Sequence, residues 1–234
     1  MKKAAAMLIF ALALVYAAAA TAGREWLVLK SASVSCAQWS GDVLSPGQCT
    51  DAAAYARAVN VVNTPLGESL PAVDLAKLRL RLVSIPGVAD ARLRRRLPHS
   101  LHAVLVLRRP LARWAGGGLV DVAGHRYQGA SDNWLPVFSG APGDAARIAE
   151  FYGFAVSLLP PNDIGQVQLE NNGEWKVFLR DGAILYLGGE APRKRLGIYA
   201  RYRADIAKEF GKVRAVDLRY GRGFAVAVDK ENEA

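Results

Sequence analysis

The amino-acid sequence predicts an α+β protein with one N-terminal membrane-spanning helix. An apolar run covers residues 4–22, and these ~19 residues would span about 28 Å as a helix, close to the thickness of a bilayer core. Beyond it, segments with the 3.6-residue period of helices are interspersed with segments in which apolar and polar residues alternate as in strands. Short turns join several of the strands, and they predict a mainly antiparallel sheet in the C-terminal half.

The apolar run has two interpretations. Lys2 and Lys3 precede it, which predicts a cytoplasmic stub at residues 1–3 and a C-terminal bulk outside the cytoplasm. Alternatively, Ala20-Thr21-Ala22 resembles the cleavage site of a secretory signal peptide. Both interpretations place the chain from about Gly23 onward in an extracytoplasmic space.

The predicted extracytoplasmic location also indicates the state of the two cysteines. Cys36 and Cys49 lie in a segment rich in Ser, Gly and Pro, and an oxidising space favours a disulfide across this short loop. Such a bridge would stabilise the fold by about 3 kcal/mol if unstrained. Two unpaired buried thiols are the alternative.

Charge and composition argue against several classes of function. The net charge is +9, and the densest basic segment is residues 92–96. This segment lacks interleaved aromatic residues, so we expect an exposed, solvated face and no nucleic-acid partner. No zinc-type Cys/His spacing, nucleophile motif or phosphate loop is present in the sequence, so we expect no metal, no cofactor, no small-molecule substrate and no enzymatic activity.

The N-terminal half predicts the order β-α-α-β-β. Asp51 and Asp74 are predicted N-caps of the two helices, and Pro86-Gly87 ends the second one. The predicted elements are a strand at residues 26–34, helices beginning at residues 51 and 74, and strands at residues 88–96 and 101–108.

The C-terminal half predicts two helices packed on several strands. The first helix begins near Pro142 and the second at Pro192, with a hairpin turn at Asp181-Gly182 between them. The side chains predicted to be buried are Ile148, Tyr152, Ala155 and Leu159 on the first helix, and Leu196, Tyr199, Ile206 and Phe210 on the second.

The last predicted feature is a hairpin that closes the domain. A three-residue loop, Gly221-Arg222-Gly223, keeps one face apolar and places Gly223 where a left-handed residue is needed. The pairs in this register are Tyr220 with Phe224, Leu218 with Val226 and Val216 with Val228. The final strand would then be an uncovered sheet edge, to which another chain could add a strand.

Three stretches resemble the FtsQ/DivIB family of bacterial division proteins. The first is Val216-Asp217-Leu218-Arg219-Tyr220-x-x-Gly223-Phe224-Ala225-Val226, which is similar to the family's C-terminal signature. The others begin at Ile85-Pro86-Gly87-Val88 and at Arg109-Pro110-Leu111-Ala112-Arg113-Trp114. The resemblance implies a POTRA domain at residues 24–109 that contains the Cys36–Cys49 insertion, a β domain at residues 110–228 and a tail at residues 229–234.

The same resemblance implies a function. Members of the family are single-pass inner-membrane scaffolds at the division septum, with the β domain binding FtsB and FtsL, and the POTRA domain aiding localisation. The implied partner-binding residues are Arg219, Tyr220, Gly223, Phe224, Ala225, Val226 and Ala227. A periplasmic POTRA-bearing protein of outer-membrane assembly or secretion is the alternative, and a cleaved signal peptide would favour it.

Overall fold

The structure, a computed structural model, describes residues 27–40, 43–129, 131 and 134–228. The chain divides into two compact units between Arg108 and Arg109. The predicted anchor at residues 4–22 and the predicted tail at residues 229–234 lie outside the described residues. Among the helices that are described, none is long and apolar enough to cross a membrane. Both units combine helices and sheet, so the α+β class is confirmed.

The first unit is a four-stranded sheet with two helices. Its strand order is β2-β1-β4-β3, in which β1 and β4 are parallel and the outer pairs are antiparallel. The elements are β1 (Ser31–Ser40), β2 (Val43–Gly47), α1 (Ala52–Asn63), α2 (Leu75–Val83), β3 (Val88–Arg96) and β4 (Ser100–Leu107).

Both helices begin where the sequence predicts. The Asp51 carboxylate accepts a hydrogen bond from the Ala54 amide at 2.9 Å, and the Asp74 carboxylate accepts one from the Ala76 amide at 2.9 Å. Leu78 and Leu82 of α2 are buried on the helix face that meets the sheet. Each helix therefore has a side-chain N-cap, and α2 buries the apolar face that its periodicity predicts.

The prediction for the N-terminal strand is wrong in its bounds. Regular pairing begins at Ser31 and not at residue 26, and the cysteine segment forms the β1–β2 hairpin instead of a loop. Cys36 on β1 pairs with Gly47, which brings Cys49 to a Cα–Cα distance of 5.3 Å, and the two cysteines form a disulfide. The order of this unit is therefore β-β-α-α-β-β.

The second unit is one nine-stranded sheet with both helices on one face. Its order is β13-β12-β11-β10-β9-β8-β5-β6-β7, with five antiparallel and three parallel neighbours. The strands are β5 (Pro110–Trp114), β6 (Leu119–Asp121), β7 (Arg126–Tyr127), β8 (Val137–Ser139), β9 (Ile164–Leu169), β10 (Trp175–Leu179), β11 (Ile184–Gly188), β12 (Val213–Asp217) and β13 (Ala225–Val228), and the helices are α3 (Ala145–Leu158) and α4 (Pro192–Phe210).

The core of this unit lies between the helices and one face of the sheet. Alternate residues of β10 to β12, such as Val177, Leu185 and Val216, are fully buried there. Every helix residue that the sequence predicts to be buried is buried except Phe210, which is 43% exposed. Phe210 is the last residue of α4, and Gly211 ends the helix with a φ of 62°, so this ring does not reach the core.

Candidate partner-binding site

The final strand lies at the edge of the nine-stranded sheet. Among the described residues, β13 pairs with β12 and has no neighbour on its other side. An edge strand presents a row of backbone donors and acceptors to the outside, so its geometry decides what could pair with it.

The register of this hairpin differs from the predicted one. Val216 pairs with Val226 and Asp217 with Ala225, a shift of two residues that leaves a seven-residue loop, residues 218–224. Because the shift is an even number, Val226 keeps its predicted face. Gly223 does not adopt a positive φ, contrary to prediction, and Val228 is 37% exposed instead of buried.

The predicted three-residue loop is disfavoured because Leu218 bonds to β11, the neighbour of β12 on the side away from β13. Its amide donates to the Tyr186 carbonyl of β11 at 2.9 Å, and its side chain is only 2% exposed. Leu218 therefore continues the parallel β11–β12 ladder, and the chain turns toward β13 only after it.

The same hydrogen bond fixes which backbone groups of β13 face outward. Backbone groups of successive strand residues point alternately to the two neighbouring strands. The N–H and C=O of Val216 and the N–H of Leu218 therefore point toward β11, whereas the N–H and C=O of Asp217 point toward β13. Ala225, the partner of Asp217, then directs its N–H and C=O inward to β12, and so does Ala227. Val226 directs its N–H and C=O outward.

A network of charged side chains holds the start of the loop. Arg219 donates from both its Nε and its Nη2 to the Asp217 carboxylate, at 2.9 and 2.7 Å, and its guanidinium lies 5.5 Å from the centre of the Tyr186 ring. Glu174 lies 3.8 Å from the same guanidinium. The hydrogen bond from Arg219 is the main cause that lowers the pKa of Asp217, and the same pairing raises the pKa of Arg219.

Arg195 of α4 connects this network to the core. Its Nη1 donates to the Leu187 carbonyl at 2.6 Å, and its Nη2 donates to the Arg219 carbonyl at 3.3 Å. Gly188 lies beneath both arginines, and its φ of 66° belongs to the left-handed region. The loop is thereby tied to the sheet through a side chain that is remote from it in sequence.

The seven residues implied by the resemblance lie together but play different parts. Tyr220 is 61% exposed and Gly223 is exposed, both in the β12–β13 loop. The half-buried side chains of Phe224 and Val226 pack against the core, with the Phe224 ring 5.9 Å from that of Tyr202. Ala225 and Ala227 face the side of the sheet opposite the helices.

That opposite side carries a groove beside the edge. Its volume is about 480 Å³, and residues of three strands line it: Ile184, Tyr186, Arg214, Ala215, Asp217, Ala225, Val226 and Ala227. The small side chains at positions 225 and 227 leave the edge of the groove open to an approaching chain.

Sequence reasoning missed Asp217, Tyr186 and Arg195. Asp217 and Arg219 are two residues apart in a strand-like segment, and this spacing places both side chains on one face. That pattern was a usable signal for the ion pair. Tyr186 and Arg195 carry no such signal, because only the β11–β12 pairing and the helix packing bring them to the loop.

Comparison with known proteins identifies the family. A segment covering 71% of the chain is 32% identical to 72% of the cell division protein FtsQ of Nitrosospira multiformis. The chain belongs to the FtsQ family. The FtsQ protein of Neisseria gonorrhoeae is 32% identical over 60% of this chain and 60% of its own length. The FtsQ protein of Allochromatium vinosum is 34% identical over 65% of this chain and 63% of its own length.

The family model for the C-terminal domain of cell division protein FtsQ/DivIB matches residues 112–219. This range covers most of the second unit and ends at Arg219. Residues 220–224 of the loop and the edge strand β13 lie beyond the matched range, so assigning a role to them depends on their geometry.

Proposed function

We propose that this FtsQ family member is a non-enzymatic scaffold of the bacterial division machinery. Its first unit is a POTRA domain, its apolar N-terminal run anchors it in the inner membrane at the septum, and its second unit binds bitopic proteins that resemble FtsB and FtsL. Membership of a cell division family supports the setting. The observation that supports the mode of binding is the outer edge of β13, which pairs with no other strand of the part of the chain that the structure describes.

The partner adds a strand to β13, and the backbone supplies most of the contact. The N–H and C=O of Val226 face outward, while the Ala225 and Ala227 side chains are too small to obstruct an incoming strand. The exposed Tyr220 ring lies in the adjoining loop, where it offers an aromatic anchor of the kind found at interface hot spots.

Substitution of Val226 by proline tests this mode of binding. Proline removes the outward donor without removing a hydrogen bond to β12, and edge strands tolerate it at such a position. Val226→Ala is the matched control, because it removes the same half-buried side chain and keeps the N–H. Ala227→Pro removes an inward donor, and we expect it to lower the melting temperature.

We expect Val226→Pro to weaken binding of the organism's own FtsB-like protein by about five- to 150-fold, since a lost hydrogen bond that leaves a buried acceptor unpaired costs about 1–3 kcal/mol. Val226→Ala should bind more tightly than the proline variant at a similar melting temperature. Equal affinity of the proline and alanine variants would show that the partner does not use this edge.

A further inference from the structure

The hairpin between β3 and β4 of the first unit ends in an exposed apolar tip. Leu97 is 74% exposed, the highest value among the large hydrophobic side chains of the described residues, and Pro98 beside it is also exposed. Burying such a residue against another surface is favourable by about 25 cal/mol per Å² of apolar area. Nothing else in the described part of the unit covers this tip.

Arginines of β3 surround the base of the tip. Arg94 and Arg96 are exposed and project from the face of the sheet opposite the helices, and neither forms an ion pair in the described part of the chain. Arg95 projects from the other face, where it donates to the carbonyls of Leu70 and Val73 at 2.9 and 2.5 Å. Of the last three arginines of β3, Arg95 is thus bonded to backbone carbonyls, whereas Arg94 and Arg96 have no ion-pair partner among the described residues.

The neighbouring strands add polar donors to the same face. His102 lies opposite Arg94 on β4, and its ring nitrogens lie 2.8 and 3.2 Å from the hydroxyls of Ser33 and Ser35 on β1. Burial is the main cause that lowers the pKa of His102, and the positive charges of Arg96 and Arg94 lower it further. The face near the tip thus has a positive potential.

Few carboxylates offset this charge. Asp90 is on the same strand, but it lies six residues from Arg96 and is paired with Arg79. Glu68 is in a loop next to the start of the described chain, where its carbonyl accepts from the Leu29 amide at 2.8 Å. Lys30 is exposed beside that loop and adds a further cation.

The start of the described chain lies against the tip. The amides of Lys30 and Ser31 both donate to the carbonyl of His99, at 2.8 and 3.3 Å. Lys30 lies eight residues beyond residue 22, where the predicted anchor ends, and eight residues reach at most about 28 Å when fully extended. A chain anchored as in the proposed function, on which the following proposal rests, keeps the base of the tip within that distance of the bilayer.

We propose that the β3–β4 tip docks on a membrane surface that contains anionic phospholipids, with Leu97 inserted at the interface and Arg94 and Arg96 on the lipid phosphates. An apolar residue bordered by cations is the pattern of interfacial membrane binding. An acidic protein segment would satisfy the arginines but would leave the protruding Leu97 without a partner. In a chain anchored as proposed above, the short tether also keeps the membrane within reach.

The test uses the full chain reconstituted in vesicles and an environment-sensitive dye on a cysteine at position 97. Cys36 and Cys49 are joined in a disulfide, so Leu97→Cys provides one reactive thiol. Leu80→Cys is the matched control, because Leu80 is 68% exposed on α2 but lies on the helix side of the sheet. Vesicles of phosphatidylcholine alone are compared with vesicles that also contain phosphatidylglycerol.

We expect dye at position 97, and not at position 80, to shift to the blue and to be quenched by spin-labelled lipid when phosphatidylglycerol is present. Arg94→Gln should lower the ratio of inserted to free tip about fivefold, and so should Arg96→Gln. The reason is that each cation near an anionic surface contributes about 1 kcal/mol to the free energy of membrane binding. High salt should reduce the signal in the same way.

Two results would overturn the proposal. One is equal quenching at positions 97 and 80, or quenching that does not depend on phosphatidylglycerol or on the arginines. The other is a response at position 97 that requires a partner protein and not anionic lipid, which would assign the tip to a protein interface. Melting of the arginine variants serves as the check that they fold.

Discussion

Gly188→Ala is expected to destabilise the second unit and to weaken partner binding, because an added methyl group would displace the guanidinium of Arg195. A Cβ at this position would lie 2.6 Å from Arg195 Nη1 and 3.2 Å from Arg219 Cγ. The arginine is flexible and would move away. Its hydrogen bonds to the carbonyls of Leu187 and Arg219 would then be lost.

The expected magnitude has two parts. Alanine at a φ of 66° costs about 1 kcal/mol in backbone strain. Loss of the charge-assisted hydrogen bond to Leu187 adds about 1–2 kcal/mol, the low end of the usual range because Arg195 is half-buried. The sum of ~2–3 kcal/mol corresponds to a decrease of about 8–12 °C in melting temperature for a unit of this size.

Gly182→Ala is the control for the backbone term. Gly182 has a φ of 97°, farther from the left-handed region that alanine tolerates, and a Cβ there would meet nothing within 4 Å. Strain alone therefore predicts that Gly182→Ala is the more damaging change. Displacement of Arg195 predicts the opposite order.

Calorimetry of both variants, with and without Arg195→Ala, separates the two causes. In the Arg195→Ala background, Gly188→Ala should cost only the strain term, so the two substitutions should be non-additive by about 1–2 kcal/mol. Additive effects, or a higher melting temperature for Gly188→Ala than for Gly182→Ala, would refute the anchoring role of Arg195.

Three further outcomes are expected. Thiol labelling of the denatured, unreduced chain should find neither Cys36 nor Cys49 free, and substituting both by serine should cost about 3 kcal/mol in chemical unfolding. Gly153→Ala should stabilise α3 by about 0.5–1 kcal/mol in the same assay, because Gly153 is exposed within the helix and a Cβ there meets nothing within 4 Å. Because Arg219 lowers the folded-state pKa of Asp217, the stabilisation that this carboxylate provides is present above its unfolded pKa of about 3.9 and is lost as the pH falls through the lower folded value. Asp217→Asn should therefore lower the melting temperature at pH 7, and the difference from the unsubstituted chain should shrink as the pH falls below about 3.9.

The helices were predictable because their signals are local. A capping aspartate, a 3.6-residue apolar period and a terminating glycine or proline all act within a few residues, and Asp51, Asp74 and Pro192 each mark a helix boundary within one residue. The prediction that Phe210 is buried is wrong. The apolar period continues to the last turn of the helix, whereas burial there depends on whether the sheet extends beneath that turn.

The strands at both ends were harder because distant residues decide their pairing. The alternation Ser31-Ala32-Ser33-Val34-Ser35-Cys36 is a strand signal that continues to Ser40, but the Ser-, Gly- and Pro-rich surroundings of the cysteines favour a loop. In the last hairpin, a three-residue loop satisfies all local rules. The long-range bond between Leu218 and Tyr186 outweighs those rules, and no local pattern shows it.

An open edge such as β13 risks unspecific pairing between copies of the chain, and its construction limits that risk. The strand has four residues, and the pairing with β12 shifts register between Val213 and Ala215, which bends this end of the sheet. Short, irregular edges pair poorly with one another, because few consecutive hydrogen bonds can form. A partner that also contacts Tyr220 and the groove would gain additional area from the loop and the sheet face. The specificity of the proposed site would therefore reside in the β12–β13 loop and the groove, and the edge itself would supply affinity.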